Sequence, residues 1–213
     1  MATNVDWTSL ASLKTTAKAG GGSLFLKLES GKEYKVRPVG EAVQFYKIFI
    51  NGINRSVNID VNPPSLVNDI AALLSEHFGQ EIKPQMRYAI KVLDRDDNNR
   101  VKILESSATI FKMMATWSKG SDMKVGSSKA GDWIITAEGV KPQIKYNASF
   151  LKNTPITEAE VKMISELKGK PEYDLSKVYE SVTLENVLEK LNQTSKKGSN
   201  SNSNAVSSDS VDF

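Results

Sequence analysis

At 213 residues, 39% hydrophobic and 25% charged, the chain has the composition of a soluble globular protein with room for one sizeable core, or a core plus appendages. It has no cysteine and a single histidine, which excludes a disulfide framework, a thiolate zinc site, a cysteine nucleophile and a multi-histidine metal cluster. Net charge is only +3, yet Lys14 to Arg55 carries eight cations against three acids, so the basic character is local and points to an anionic partner.

Residues 1–22 form an arm. Trp7, Leu10, Leu13 and Ala17 stand close to helical spacing beside Lys14 and Lys18, and Gly20-Gly21-Gly22 follows as a hinge. The arm either docks on a neighbouring subunit or packs as a short helix on its own domain.

Ser23–Asp60 reads as three or four consecutive strands. Leu24, Leu26 and Leu28 alternate with Phe25, Lys27 and Glu29, the period of a half-buried strand. After Gly31, Glu33–Pro38 places Tyr34 and Val36 on one face and Glu33, Lys35 and Arg37 on the other. Val43–Ile50 sets Phe45, Lys47 and Phe49 against Tyr46, Ile48 and Ile50; which of Phe45 or Tyr46 points outward stays open. Asn51-Gly52 is a tight-turn signal leading to a further strand, Ile53–Asp60, which bears Arg55. A face that mixes Lys and Arg with aromatic rings suits a flexible polyanion with stackable bases.

A helical insert over 63–85 follows, with Ser65 as N-cap, Leu66, Ile70, Leu73 and Leu74 on its buried stripe, and Gly79 beyond its end. His77 lies near the edge of that stripe and reads as structural. Met86–Arg95 and Arg100–Glu105 form a hairpin with Met86, Tyr88, Ile90, Val92, Val101 and Ile103 expected on an apolar face. Arg87, Lys91, Arg100 and Lys102 are expected on the other, where four like charges call for an anion. Asp94, Asp96 and Asp97 lack the Gly and terminal Glu of a calcium loop and read as a polar turn. Ser106 or Ser107 caps a helix to Trp117, and Ser118–Gly131 is expected as a mobile loop. Trp133–Ala137 and Lys141–Tyr146 pair around Glu138-Gly139. Thr157 with Glu160 is a capping box, opening the first of the C-terminal helices expected over 157–192. Asp174–Val182 and Thr183–Leu191 read as short helices. From 193 to 213 the chain is Ser- and Asn-rich, too polar to fold alone, and is expected to be disordered.

No phosphate-binding loop, dinucleotide fingerprint or metal-binding helix motif occurs, and no spacing arranges the carboxylates as a catalytic pair. The expectation is a non-enzymatic protein without cofactor or metal. No run approaches the roughly 18 apolar residues of a membrane span, and no signal-peptide core opens the chain, so a cytoplasmic protein is expected.

The order of these elements carries a resemblance. A Leu-Lys-Leu strand, Lys35-Val36-Arg37-Pro38, a long strand with an Asn-Gly turn and a helical insert come first. Then follow Arg87-Tyr88-Ala89-Ile90-Lys91-Val92, a charged turn, Arg100-Val101-Lys102-Ile103-Leu104, a helix to Trp117, and Asp132–Ala137 leading into Tyr146–Leu151. From about Ser23 to Pro155 this resembles the single-stranded DNA-binding (helix-destabilising) proteins of large tailed phages. Asp209-Ser210-Val211-Asp212-Phe213 resembles the acidic, Phe-ending tails of single-strand binders.

The resemblance implies a mainly β fold with helical decorations, an oligonucleotide-binding (OB) Greek-key barrel over 23–192 with a basic, aromatic groove. The matching positions are Lys35, Arg37, Phe45, Tyr46, Phe49, Arg87, Tyr88, Lys91, Arg100 and Lys102, with Lys112 and Tyr146 further along; patterning adds Lys27, Lys47 and Arg55. It also implies self-association along the strand, phage replication proteins met through Asp209, Asp212 and Phe213, and the cytoplasm of an infected bacterium. The chain departs from the family where a Cys/His zinc module would stand, since 63–85 holds no cysteine. Met1–Leu13 has no basic run, and the tail is thinly charged. Two other classes compete: a protein–protein adaptor or virion component, and an RNA-binding OB module. A metal-dependent nuclease is a third rival.

Overall fold

The computed structural model describes residues 23–50, 55–59, 64–121, 123–140 and 143–180. The N-terminal arm, the Asn51-Gly52 turn, the helix expected over 183–191 and the tail with Asp209, Asp212 and Phe213 lie outside the described residues, as do the side chains of Phe49 and Arg55. The fold is α+β. In chain order it comprises β1 (Lys32–Ile50), β2 (Arg55–Ile59), α1 (Pro64–Phe78), β3 (Gln85–Asp94), β4 (Arg100–Ser106), α2 (Ala108–Ser121), β5 (Asp132–Glu138), β6 (Lys145–Lys152), α3 (Glu158–Glu166) and α4 (Leu175–Val178), with a 3-10 turn at Pro171–Tyr173.

β1 organises the sheet. The strand order is β4-β3-β1-β5-β6, with β2 paired to β1 off that path, and the pairs between these strands are all antiparallel. Val36 pairs with both Asp94 of β3 and Trp133 of β5, whereas Tyr46 pairs with both Met86 of β3 and Ile59 of β2. Between Val36 and Lys47 one edge of β1 is therefore held by β3, and the other passes from β5 to β2. The two strands expected over 33–38 and 43–50 are thus one long strand. The register shifts between Val39 and Val43, a bulge that lets one strand bend between two neighbours. Gly40 in the bulge has φ +75, and its N–H donates to Gly126 O at 2.9 Å. A Cβ on Gly126 would stand 1.8 Å from Gly40 O, so that approach requires glycine.

Leu24–Leu28 does not form the expected strand. It touches the sheet at one parallel bridge, Phe25 to Ile103, with Leu26 N–H donating to Ile103 O and Ile103 N–H to Leu24 O, both at 2.9 Å. The helix expected to end at Trp117 continues to Ser121, so the first residues of the expected loop are helical.

The sheet has two covered faces. On one, Val36, Ile90, Val92 and Leu104 pack with Ile110 and Met114 of α2 and with Trp133 and Ile135 of β5. Trp117 closes this core, its ring stacked on Phe150 at 4.3 Å. On the other face, Phe45, Ala89 and Ile103 pack with Leu175 and Tyr179 from the C-terminal end of the described chain. The capping box is present: Thr157 Oγ1 accepts from Glu160 N–H at 3.2 Å, and Glu160 Oε2 accepts from Thr157 N–H at 2.9 Å. Glu160 also accepts from Arg95, which donates to Asp132 Oδ1 at 2.8 Å and to Asn99 Oδ1 at 2.9 Å. This network ties α3 to β5 and to the β3–β4 turn. Among the described residues no helix is long and apolar enough to cross a membrane.

Candidate nucleic-acid interface

The pairing registers decide which expected contacts share a face. In an antiparallel pair, residues directly opposite point the same way. Asp94 lies opposite Arg100, Val92 opposite Lys102 and Ile90 opposite Leu104; Ala89 lies opposite Glu105 and Lys91 opposite Ile103. Arg87 and Lys91 therefore share a face with Val101, Ile103 and Glu105. Arg100 and Lys102 belong to the face of Tyr88, Ile90 and Val92. The four cations expected on one hairpin face are split, because the turn at 95–99 sets Arg100 against Asp94 rather than against a residue of the Arg87 series.

The consequence for charge is direct. Lys102 Nζ sits 2.8 Å from both Asp94 Oδ2 and Asp97 Oδ2, and Arg100 pairs with Asp97 at 3.6 Å. Burial pulls the Lys102 ammonium down, but its hydrogen bonds to Asp94 and Asp97 outweigh that and raise it. These two cations meet carboxylates of their own turn and leave little charge for a phosphate.

Arg37 is a second correction. Its side chain is fully buried, with the guanidinium donating to the Thr154 and Ser128 carbonyls. Burial lowers its proton affinity, opposed by the nearby Asp132 carboxylate. Arg37 thus lies beneath the 126–128 loop and the chain after β6, its guanidinium engaged by those two carbonyls.

The opposite face of β1, β3 and β4 collects the rest. Phe45 lies opposite Arg87, and alternation along β1 puts Lys35 and Lys47 on the same face. Of the Phe45/Tyr46 pair, Tyr46 is half-buried and Phe45 is buried, on the face away from α2. Tyr179 stacks on it with ring centroids 4.1 Å apart and planes 24° from parallel. Glu105 stands beside them. Its Oε1 is 2.8 Å from Lys47 Nζ and 3.4 Å from the Arg87 guanidinium, and its Oε2 accepts from the Tyr179 hydroxyl at 3.2 Å. Burial, with the Glu105 carboxylate adding to it, raises the Tyr179 phenol far above its ordinary range. Arg87 Nε is buried with no acceptor. Lys35 is exposed and Lys91 half-buried, and neither ammonium has an ion-pair partner among the described residues.

The remaining expected contacts lie apart from this cluster. Tyr46 and Tyr88 are half-buried on the α2 side, where Tyr88 stacks on Phe111 at 5.4 Å. Lys27 is exposed beyond the Phe25 bridge, Lys112 is exposed on α2, and Tyr146 packs against the core that α2 covers. His77 is exposed, its ring edge-on to Phe78 at 4.9 Å.

Sequence reasoning missed Glu105 and Tyr179. Glu105 joins the Arg87 and Lys91 face through the β3–β4 register, which sets it opposite Ala89. Tyr179 lies more than 130 positions from Phe45, and no local signal links them. Compared with models of known protein families and with curated proteins, the chain matches none.

Proposed function

We propose that the chain is a sequence-tolerant, non-enzymatic single-stranded DNA-binding protein acting in phage DNA replication, recombination and repair. The observation that carries the proposal is the face of β1, β3 and β4 away from α2, where Phe45 carries a stacked aromatic ring, that of Tyr179, amid Lys47, Arg87 and Lys91. Aromatic platforms among cations give sequence-tolerant affinity, since each base presents a π-face and each nucleotide a phosphate. We also read the fold as OB-type. The meander β1-β3-β4, the helix α2 after it, and β5 returning to the far edge of β1 support that, and the second and third strands of such a fold form its oligonucleotide face. Binding single strands and not duplex shifts melting equilibria by mass action and shields exposed template. The host cytoplasm, self-association along the strand and recruitment of replication proteins through Asp209, Asp212 and Phe213 belong to the same proposal.

A fluorescence titration with labelled mixed-sequence oligomers tests it. Single-stranded DNA is expected to bind with an affinity that falls as salt rises, and duplex of the same length to bind far more weakly. Equal binding to duplex, or none to either, dismisses the proposal. Tighter binding of the matching RNA transfers it to the RNA-binding class.

A further inference from the structure

The Tyr179 ring stacked on Phe45 has a defined polarity. The Tyr179 hydroxyl lies para to the bond joining the ring to the chain, and it donates to Glu105 Oε2 at 3.2 Å. The other oxygen of that carboxylate already meets Lys47 and Arg87, so among the described residues Oε2 serves Tyr179 alone. A pyrimidine nucleotide has the same axis, because its 4-substituent lies para to the nitrogen that joins the sugar. Cytosine carries an amino donor at that position; thymine and uracil carry a carbonyl acceptor, which a carboxylate repels. Purines join the sugar through the five-membered ring and do not reproduce the axis.

Resting on the single-strand reading above, we propose that Phe45 and Glu105 form a stacking subsite that favours cytosine, and that Tyr179 is its internal occupant. Phe45 supplies the platform, and Glu105 Oε2 accepts from the 4-amino group. Lys47 and Arg87 hold the carboxylate in place by its other oxygen. The unspent Arg87 Nε donor is available to an acceptor that the incoming strand brings and Tyr179 lacks, such as a phosphate oxygen. A strand entering the subsite must displace Tyr179, so the segment from Leu175 to Tyr179 competes with it.

Anisotropy titrations of the full chain with oligodeoxycytidine and oligothymidine of equal length test this, using wild type, Glu105→Gln and Tyr179→Phe. Wild type is expected to bind the cytidine oligomer about tenfold more tightly, the scale of one charge-assisted hydrogen bond set against a repelled carbonyl. Glu105→Gln, whose amide both donates and accepts, should bring that ratio to about one. Tyr179→Phe keeps the ring and loses its hold on Glu105, so both oligomers should bind more tightly at an unchanged ratio. It also preserves the packing should Glu105→Gln prove unfolded by its melting curve. Equal affinities in wild type, a cytidine preference that survives in folded Glu105→Gln, or Tyr179→Phe binding as wild type each overturn the subsite while leaving single-strand binding in place. Failure of every variant to bind either oligomer overturns both.

Discussion

Arg37 and Glu160 show what a buried charge does in this fold. Arg37 stays inside because its fork donates to two carbonyls, those of Thr154 and Ser128. Arg37→Met fills similar volume but removes both hydrogen bonds, and should cost roughly 1–2 kcal/mol in urea unfolding while leaving the salt dependence of oligonucleotide binding unchanged. Glu160 is nearly fully buried. Burial pushes its carboxyl up, but the Thr157 N–H and Arg95 outweigh that and hold it below the usual value of 4.5. The sign follows: a carboxyl depressed on folding contributes stability that is complete above its unfolded value and lost as pH falls through its folded one. Stability of the wild type should therefore drop as pH falls below about 4.5, and Glu160→Gln should be less stable by about 3 kcal/mol at neutral pH with a flatter acid limb. Denaturant melts across that pH range measure both.

At the scale of elements, local chemistry was legible and register was not. The Thr157 capping box, the end of α1 at Phe78 before Gly79 and the β3–β4 hairpin are all specified by neighbours within a few positions, and the structure has them. α1 opens earlier than expected, at Pro64, so Ser65 lies inside the helix and not at its cap. The split of Arg87 and Lys91 from Arg100 and Lys102 depends on which residue faces Asp94 across a five-residue turn, and alternation within a single strand carries no such information. The fusion of two expected strands into β1 turns on Gly40, which sits in a bulge supported from across the fold by Gly126. Two glycines test that account. Gly126→Ala would press a Cβ against the Gly40 backbone and should unfold the protein many degrees lower in a thermal melt, by overpacking against main chain that cannot retreat. Gly120→Ala, in α2 with open space around it, should leave the melt unchanged or raise it, by up to about 1 kcal/mol of helix propensity.

For the whole molecule, the proposed single-strand binding turns on how many cations remain for phosphates once internal pairs are counted. Five phosphate contacts would give a log–log salt slope of about −3.5 for a single strand. Lys102 and Arg100 are met by Asp94 and Asp97, Arg37 by two carbonyls, and Lys47 and Arg87 share the single Glu105 carboxylate. Lys35, Lys91 and the one charge left over from the Lys47–Arg87–Glu105 set remain on the described face. Three contacts predict a slope of about −2. Lys35→Gln and Lys91→Gln should each flatten it by about 0.7 without lowering the melting temperature, because neither ammonium holds the fold together. Lys102→Gln should do the reverse, leaving the slope alone and lowering the melt, since it strands Asp94 in the interior with its partner gone. A slope near −3.5 in wild type, falling on removal of Lys102, would mean that the ion pairs around Asp94 and Asp97 open when a strand binds.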